Sequence, residues 1–356
     1  SPPGIKRARI KKPDTLLPDE SSKLDTLRKR FEDSAEYQEP DNIAALQAAF
    51  HEEQDVRRAI FEEMSKRSSK VSMGKNKKVT VTPGTWSTFG FDFSRAPIFY
   101  PLNNLTIEQG NFVSARFYGE ADFGGAKFAG AADFRDAKFA GAADFRDAKF
   151  AGAADFGGAE FTGLAYFDYA EFAGGHAEFD EAADFNNAKF TGNANFENAM
   201  FAGDADFDGA KFAGAAYFGE AEFAGTADFD GAKFARAAGF GNATFTENAY
   251  FSSAEFTEDA YFRGAKFSGK TSFEEAYFEK CAPIFADASN SARFSAQVNP
   301  QEYLFEAHSE SPHGFSCGEA KLLNRTFILP HGAVLFDPDS WDKEKRDYTR
   351  LSEPAQ

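Results

Sequence analysis

The residues whose spacing comes nearest to metal chemistry are three aspartates in the segment GDADFDGA. Asp204, Asp206 and Asp208 are followed by Gly209, which matches the opening of a calcium loop of the form D-x-D-x-D-G. Such a loop needs an acidic ligand at its twelfth position, and that position is Ala215. We therefore predict that these aspartates hold no metal ion, and we assign no cofactor to the chain.

A second candidate is a group of soft ligands near the C-terminal end, His308, His313, Cys317 and His331. Zinc sites favour more closely spaced ligand pairs, so we interpret these residues as ordinary loop residues, with a structural metal site as the alternative. The chain has two cysteines, Cys281 and Cys317, and their number leaves a disulfide and two free thiols both open.

Catalytic motifs are not apparent in the sequence. No nucleophile motif, glycine-rich phosphate loop or pair of catalytic carboxylates stands out from the repeated background. We therefore predict that the protein is not an enzyme. No apolar run approaches about 18 residues, which predicts a soluble chain that does not span a membrane. The sequence leaves the compartment unknown, with export or delivery to an organelle after N-terminal trimming as one option.

Residues 1–20 form a basic, proline-containing arm. Such a segment has little apolar surface to bury and is expected to lack a fold in isolation. We predict that the arm binds an acidic surface of another subunit. Its basic residues are Lys6, Arg7, Arg9, Lys11 and Lys12.

Phenylalanine sets the architecture of the central part of the chain. The eleven residues AGAADFRDAKF at 129–139 recur unchanged at 140–150, and Phe follows Phe at alternating steps of five and six residues from Phe112 to Phe278, with one interruption. A helix advances about 100° per residue and would scatter these rings around its axis, so a helix is excluded. Repetition on this scale predicts a solenoid.

Within each repeat the residues alternate as in a short strand. Ala stands two residues before nearly every Phe, and a charged or polar residue stands between them, as Asp133 does between Ala132 and Phe134. Residues two apart on a strand share a face, so Ala and Phe are predicted to point inward. The core is represented by Phe134, Phe139, Phe145, Phe150, Phe207 and Phe212.

The units ADFRD at 132–136 and AKFAG at 137–141 resemble the pentapeptide-repeat family. The resemblance covers about 112–285 and implies a mainly β fold, a right-handed four-sided β-helix. Phe replaces the commoner Leu at the centre, and every second unit has a sixth residue. We therefore predict that four units make one coil of about twenty-two residues, with Phe123 stacked on Phe145. The alternative is a flat eleven-residue coil, with Phe123 stacked on Phe134.

One fault interrupts the pattern in EFAGGHAEFDEAADF. The steps from Phe172 to Phe179 and from Phe179 to Phe185 are seven and six residues, which predicts that the alternation slips by one side. Two explanations stay open: an insertion absorbed as a bulge, and a kink that exposes His176 to a partner.

Five segments follow from these patterns, including an N-terminal helical hairpin and an irregular C-terminal cap. They are a basic arm at 1–20, the hairpin at 21–70, a linker and first irregular coil at 71–111, the solenoid at 112–285, and the C-terminal cap and tail at 286–356.

Charge supplies the remaining clue to function. The chain has 56 acidic and 39 basic residues, a net charge of −17, and acidity is concentrated at 196–230, with eight acids and one lysine. We interpret the surface as mixed and solvated. The prediction is a non-enzymatic scaffold or protein–protein interaction subunit of a larger assembly. It binds other protein subunits, with a homo-oligomer as a further option and no nucleic acid expected. Some pentapeptide-repeat proteins are DNA mimics that protect topoisomerases, so an acidic DNA mimic is the alternative.

Overall fold

The computed structural model describes residues 43–73, 79–173 and 181–356. The chain divides into two compact units, Ser1–Arg57 and Arg58–Gln356. One α-helix is described near the N-terminus, α1, at Ile43–Arg67. The basic arm and the first helix predicted for the hairpin lie outside the described residues.

The second unit is a β-solenoid whose strands form four parallel sheets of ten, nine, seven and ten strands. The first sheet contains Gly90–Asp92, Gln109–Asn111, Ala132–Asp133, Ala154–Asp155, Glu181–Asp184, Asp204–Asp206, Ala227–Asp228, Ala249–Tyr250, Thr271–Ser272 and Tyr303–Leu304. The second contains Pro97–Ile98, Arg116–Phe117, Lys138–Phe139, Glu160–Phe161, Lys189–Phe190, Lys211–Phe212, Lys233–Phe234, Glu255–Phe256 and Tyr277–Phe278. The third contains Ala121–Asp122, Ala143–Asp144, Ala165–Tyr166, Ala194–Asn195, Ala216–Tyr217, Ala238–Gly239 and Ala260–Tyr261. The fourth contains Thr106–Ile107, Lys127–Phe128, Lys149–Phe150, Glu171–Phe172, Met200–Phe201, Glu222–Phe223, Thr244–Phe245, Lys266–Phe267, Arg293–Ser295 and Val334–Phe336.

Most coils advance the chain by twenty-two residues before it returns to the same sheet. Ala143 pairs with Ala121 on one side and with Ala165 on the other. The ring of Phe123 lies 4.7 Å from that of Phe145, with 4° between their planes. Phe134 meets Phe123 edge to face at 5.6 Å instead. The predicted longer coil is confirmed, and the flat eleven-residue coil is excluded.

The core consists of four stacks of eight phenylalanines, one beneath each sheet. Ring centroids within a stack are 4.6 to 5.2 Å apart, which is the spacing of neighbouring strands. The stacks are Phe112, 134, 156, 185, 207, 229, 251 and 273; Phe117, 139, 161, 190, 212, 234, 256 and 278; Phe123, 145, 167, 196, 218, 240, 262 and 285; and Phe128, 150, 172, 201, 223, 245, 267 and 294.

The five-residue units close with a tight turn. The N–H of Ala137 donates to the carbonyl of Phe134 at 3.0 Å, and Asp136 between them has φ = 55°. This left-handed residue at the third position is typical of a type II turn and favours Gly, Asn or Asp there. The mainly β solenoid is therefore confirmed, while its handedness and the shape of its cross-section stay predictions.

The fault in the repeat is absorbed at one corner. Ala154 pairs with Ala183, so this coil is seven residues longer than its neighbours. Phe156 still stacks on Phe185, at 4.9 Å, and the next coils return to the usual length. The predicted slip of the alternation is wrong, because an insertion confined to a corner leaves the sheets in register. His176 lies outside the described residues.

Both ends of the solenoid unit carry additional structure. Near the first coils, Phe61 of α1 is buried against Phe93 and Tyr100, with ring centroids 5.0 and 5.6 Å away. The following strands Lys70–Met73 and Val79–Thr82 pair with each other in antiparallel orientation.

At the other end lie two antiparallel strand pairs and two short 3-10 helices. The buried carboxylate of Asp337 forms an ion pair with Arg350 at 2.5 Å, which joins the last residues to the end of the solenoid. The strand pairs are Cys317–Leu322 with Arg325–Pro330 and Trp341–Asp342 with Asp347–Tyr348, and the 3-10 helices are Pro300–Glu302 and Pro338–Ser340.

Candidate partner-binding surface

The residues named from the sequence fall into two groups. The basic arm with Lys6, Arg7, Arg9, Lys11 and Lys12 lies outside the described residues. The six phenylalanines chosen to represent the core are at most 1% exposed, and each belongs to one of the four stacks.

The calcium-like aspartates shape a turn. An oxygen of Asp206 accepts a hydrogen bond from the backbone N–H of Asp208 at 2.7 Å, which is an Asx turn. The same bond recurs in the first sheet at Asp184 and Asp228. Asn195 makes it in the third sheet at 2.9 Å. A side-chain oxygen at this position caps the turn in these coils, and an uncharged amide supplies it as well as a carboxylate does. The turn also forms after Tyr217 and Gly239, which supply no such oxygen.

Five aspartates collect on one surface of the first sheet. Asp184, Asp206 and Asp228 are aligned in successive coils, and Asp208 and Asp230 stand two residues after the last two of them. We call Asp184, Asp206, Asp208, Asp228 and Asp230 the acidic face. Within the described residues, none of the five forms an ion pair. The nearest coil before them differs, because Arg135 lies 2.6 Å from Asp133 and 3.2 Å from Asp155.

Three aspartates of the acidic face, Asp206, Asp228 and Asp230, have a raised pKa. Burial, aided by the charges of Asp230, Asp206 and Asp208, raises the pKa of Asp228 to about 6. Burial likewise raises the pKa of Asp206, with Asp184 and Asp208 as the next raising charges, and it raises the pKa of Asp230. Burial, and after it the neighbouring carboxylates, therefore disfavour the ionised form of these three aspartates at neutral pH.

The outer surface of the second sheet carries residues of both charges, unlike the acidic face. We call its column Lys138, Glu160, Lys189, Lys211, Lys233 and Glu255 the Lys/Glu face. Glu160 contacts Lys138 in the coil before at 2.8 Å and Lys189 in the coil after at 3.0 Å, and these hydrogen bonds lower the pKa of Glu160. Lys233 contacts Glu255 at 2.6 Å. Five of the six residues of this face are paired across coils, and within the described residues Lys211 forms no ion pair.

The histidines of the soft-ligand group make hydrogen bonds with different residues. The Nδ1 atom of His331 lies 3.1 Å from the hydroxyl of Ser316, and Nδ1 of His308 accepts from the N–H of Glu310. Cys281 and Cys317 are free thiols, and burial raises the pKa of Cys317. In residues 43–73, 79–173 and 181–356, no group of three or more His, Cys, Asp or Glu is arranged to hold a metal ion.

Sequence reasoning noticed the acidity of 196–230 but interpreted it as part of a mixed surface. The signal that reveals the acidic face is the coil length. When the sequence is written with one coil to a row, Asp206 and Asp208 fall directly above Asp228 and Asp230. Among the described residues, no helix is both long enough and apolar enough to cross a membrane.

A chain whose short strands stack in four parallel sheets around continuous side-chain stacks is a β-solenoid, one of the repeat proteins. Residues 134–182, 159–211, 175–222, 207–254 and 218–266 each match the family model described as pentapeptide repeats (9 copies), and this part of the chain belongs to the pentapeptide-repeat family. A search of the curated proteins found no match, and neither did a search of the solved structures.

Proposed function

We propose that the solenoid is a non-catalytic scaffold whose acidic face binds a basic partner protein within a larger assembly. The observation that carries the proposal is the alignment of five unpaired carboxylates on a rigid sheet. A rigid core keeps such a pattern preorganised, so little ordering is needed when a partner binds.

The fold does not require the charge of the acidic face. Asn195 makes the same Asx turn without a charge, and the Lys/Glu face demonstrates that neighbouring coils can pair opposite charges. Ionised aspartate at positions 206, 228 and 230 instead raises the free energy of the folded chain at neutral pH, as the raised pKa of each of the three indicates. A partner rich in lysine and arginine would relieve that repulsion and bind with strong salt dependence.

The proposal is tested by comparing which proteins co-purify with tagged full-length variants. The face variant carries Asp206→Asn, Asp208→Asn, Asp228→Asn and Asp230→Asn. The control carries Glu120→Gln, Glu279→Gln, Glu306→Gln and Glu310→Gln, which changes the net charge equally at exposed positions away from the face. We expect a basic partner to be retained by the control and lost by the face variant. Equal retention by both variants, or binding insensitive to salt, would reject the acidic face.

The basic arm is the second proposed contact. Residues 1–20 carry five basic residues and few apolar ones, so we propose that they bind an acidic surface of a neighbouring subunit. Deletion of residues 1–20 should leave the melting temperature nearly unchanged and weaken incorporation into the assembly, more so at high salt. A deletion variant that assembles normally would remove the arm from the proposal.

A partner that normally binds nucleic acid is the second candidate, and charge density favours it. The acidic face presents two carboxylates per coil at Asp206 and Asp208 and again at Asp228 and Asp230, with a coil spacing of 4.8 Å. Duplex DNA carries about one charge per 1.7 Å, so the densities agree within a factor of two. Salt-sensitive inhibition or protection of a topoisomerase by the wild type but not by the face variant would select this candidate.

A further inference from the structure

The tyrosines on the outer surface of the third sheet differ in whether an arginine covers the ring. The guanidinium of Arg146 lies 5.2 Å from the ring centre of Tyr166, and that of Arg263 lies 4.8 Å from the ring centre of Tyr261. These are cation–π contacts. Tyr217 occupies the same column and is 39% exposed, and no cation of the described residues lies over its ring.

Neither position that supplies the cation elsewhere in the column carries one beside Tyr217. Arg263 stands two residues after Tyr261, and the equivalent residue after Tyr217 is Gly219. In the next coil, Gly239 lies beside Tyr217, and Gly241 lies beside Gly219. A Cβ atom at Gly239 would have no neighbour closer than 4.0 Å, and one at Gly241 none closer than 3.6 Å. Space therefore does not require glycine at these two positions, and their absence of side chains leaves the ring of Tyr217 open.

A carboxylate stands where a cation covers another tyrosine of the column. Glu197 is aligned relative to Tyr217 as Arg146 is relative to Tyr166, and its carboxylate oxygen lies 3.5 Å from the position that a Cβ of Gly219 would take. Glu197 is exposed, and within the described residues it forms no ion pair. The site thus combines an aromatic ring with a carboxylate that lacks a cationic partner, which are the two features that attract a planar cation.

We propose that Tyr217, with Glu197, receives an arginine side chain of the basic partner. The inference rests on the proposed partner-binding function and adds a specific contact on a different sheet. Neighbouring coils here are 4.9 Å apart, so a guanidinium above Gly239 would lie one coil from Tyr217, within the range of cation–π contacts, about 6 Å. Arginine is favoured over lysine because its plane stacks on a ring while its N–H groups reach a carboxylate.

The full-length protein tests this site with two labelled peptides of equal length, an oligo-arginine and an oligo-lysine, in a fluorescence-anisotropy titration. The variant Tyr217→Leu keeps the net charge and removes the ring. We expect it to bind oligo-arginine about two- to fivefold more weakly than the wild type does, with a smaller change for oligo-lysine and the same salt dependence.

A second variant fills the site with an arginine of the protein's own chain. Gly219→Arg repeats the spacing of Tyr261 and Arg263, so the new guanidinium should cover Tyr217 and exclude the peptide. Ala213→Arg is its control, with the same charge at an exposed position in the same coil. We expect Gly219→Arg to weaken oligo-arginine binding more than Ala213→Arg does.

The outcomes separate this site from the acidic face. If the wild type binds neither peptide in a salt-dependent way, both proposals fail. If it binds both and Tyr217→Leu leaves the preference for arginine unchanged, the site at Tyr217 is wrong, while the acidic face stands.

Discussion

The first and second sheets of the solenoid enclose the same core and present different outer columns. On the second sheet, the column contains both lysine and glutamate, and Glu160 pairs with a lysine in the coil before and in the coil after. On the first sheet, the acidic face repeats one charge, and burial and neighbouring carboxylates raise the pKa of Asp228 to about 6. Since the fold tolerates both columns, the outer residues are free to serve binding.

The inner layer is the same beneath both faces. Phe207, under the acidic face, lies 4.8 Å from the rings before and after it. Phe212, under the Lys/Glu face, lies 4.8 and 4.9 Å from its stack neighbours. Any difference between the two faces should therefore arise from the outer column alone.

The largest expected effect is the loss of stability when a core phenylalanine is truncated, and it should be equal beneath the acidic face and the Lys/Glu face. Phe207→Ala and Phe212→Ala each leave a cavity in a continuous stack, so each should lower the free energy of unfolding by about 3 to 5 kcal/mol. Urea unfolding followed by circular dichroism measures both. A loss at Phe207 several times that at Phe212 would contradict the view that the faces share one core.

The next effect is the pH dependence of stability that Asp228 causes on the acidic face. The pKa of Asp228 in the folded chain, about 6, lies above its ordinary value of 3.8, so the folded state binds this proton more tightly than the unfolded state does. Ionised Asp228 therefore lowers stability at neutral pH, and this penalty disappears as the pH falls from about 6 to below 3.8. Asp228→Asn should stabilise the protein by about 1 kcal/mol at pH 7.5, after allowance for screening at a half-exposed site, and by less at pH 4.5.

Asparagine is a suitable replacement because Asn195 already makes the same turn. Unfolding curves of the wild type and of Asp228→Asn at the two pH values provide the measurement. Destabilisation at pH 7.5 would mean that the carboxylate contributes more to the turn than its charge costs, and it would weaken the argument that the charge serves a partner.

Removing a negative charge from the Lys/Glu face should destabilise the protein, whereas removing one from the acidic face should stabilise it. The two lysine contacts lower the pKa of Glu160, so its carboxylate stabilises the folded state above its ordinary pKa of 4.5, and this contribution is lost as the pH falls through the lowered value. Glu160→Gln should destabilise the protein at pH 7.5 by about 0.5 kcal/mol, because both ion pairs are exposed. If Glu160→Gln stabilised the protein, the predicted opposite effects of charge removal on the two faces would be wrong.

The sequence predicted the stacking well because the period of phenylalanine carries that information directly. The alternation of five and six residues predicted that Phe123 lies on Phe145, and the structure confirms it. It could not predict how the coil after Phe172 accommodates an insertion, because seven residues are added while Ala154 still pairs with Ala183 and Phe156 still stacks on Phe185, with a register shift only between Glu181 and Ala183.

The outer columns were harder to predict than the core. Asp206 and Asp228 become neighbours only once the length of the coil is known, since a full coil separates them in sequence and one strand spacing separates them in the sheet. The open ring of Tyr217 is a still weaker signal, because it depends on glycines in two coils and on which arginines reach the other tyrosines of the column. Such features follow from three-dimensional proximity rather than from any local motif.

The smallest expected effect concerns an outer residue without a paired neighbour of opposite sign. Lys211 is exposed on the Lys/Glu face, aligned with Lys189 before it and Lys233 after it. Within the described residues it forms no ion pair, and its side chain points away from the core that Phe212 fills. Lys211→Ala should therefore change the free energy of unfolding by no more than about 0.5 kcal/mol in either direction. Its comparison with Phe212→Ala uses adjacent residues of one strand, so a similar loss for both, measured by urea unfolding, would contradict the division into an inner layer that sets stability and an outer layer that is free to bind.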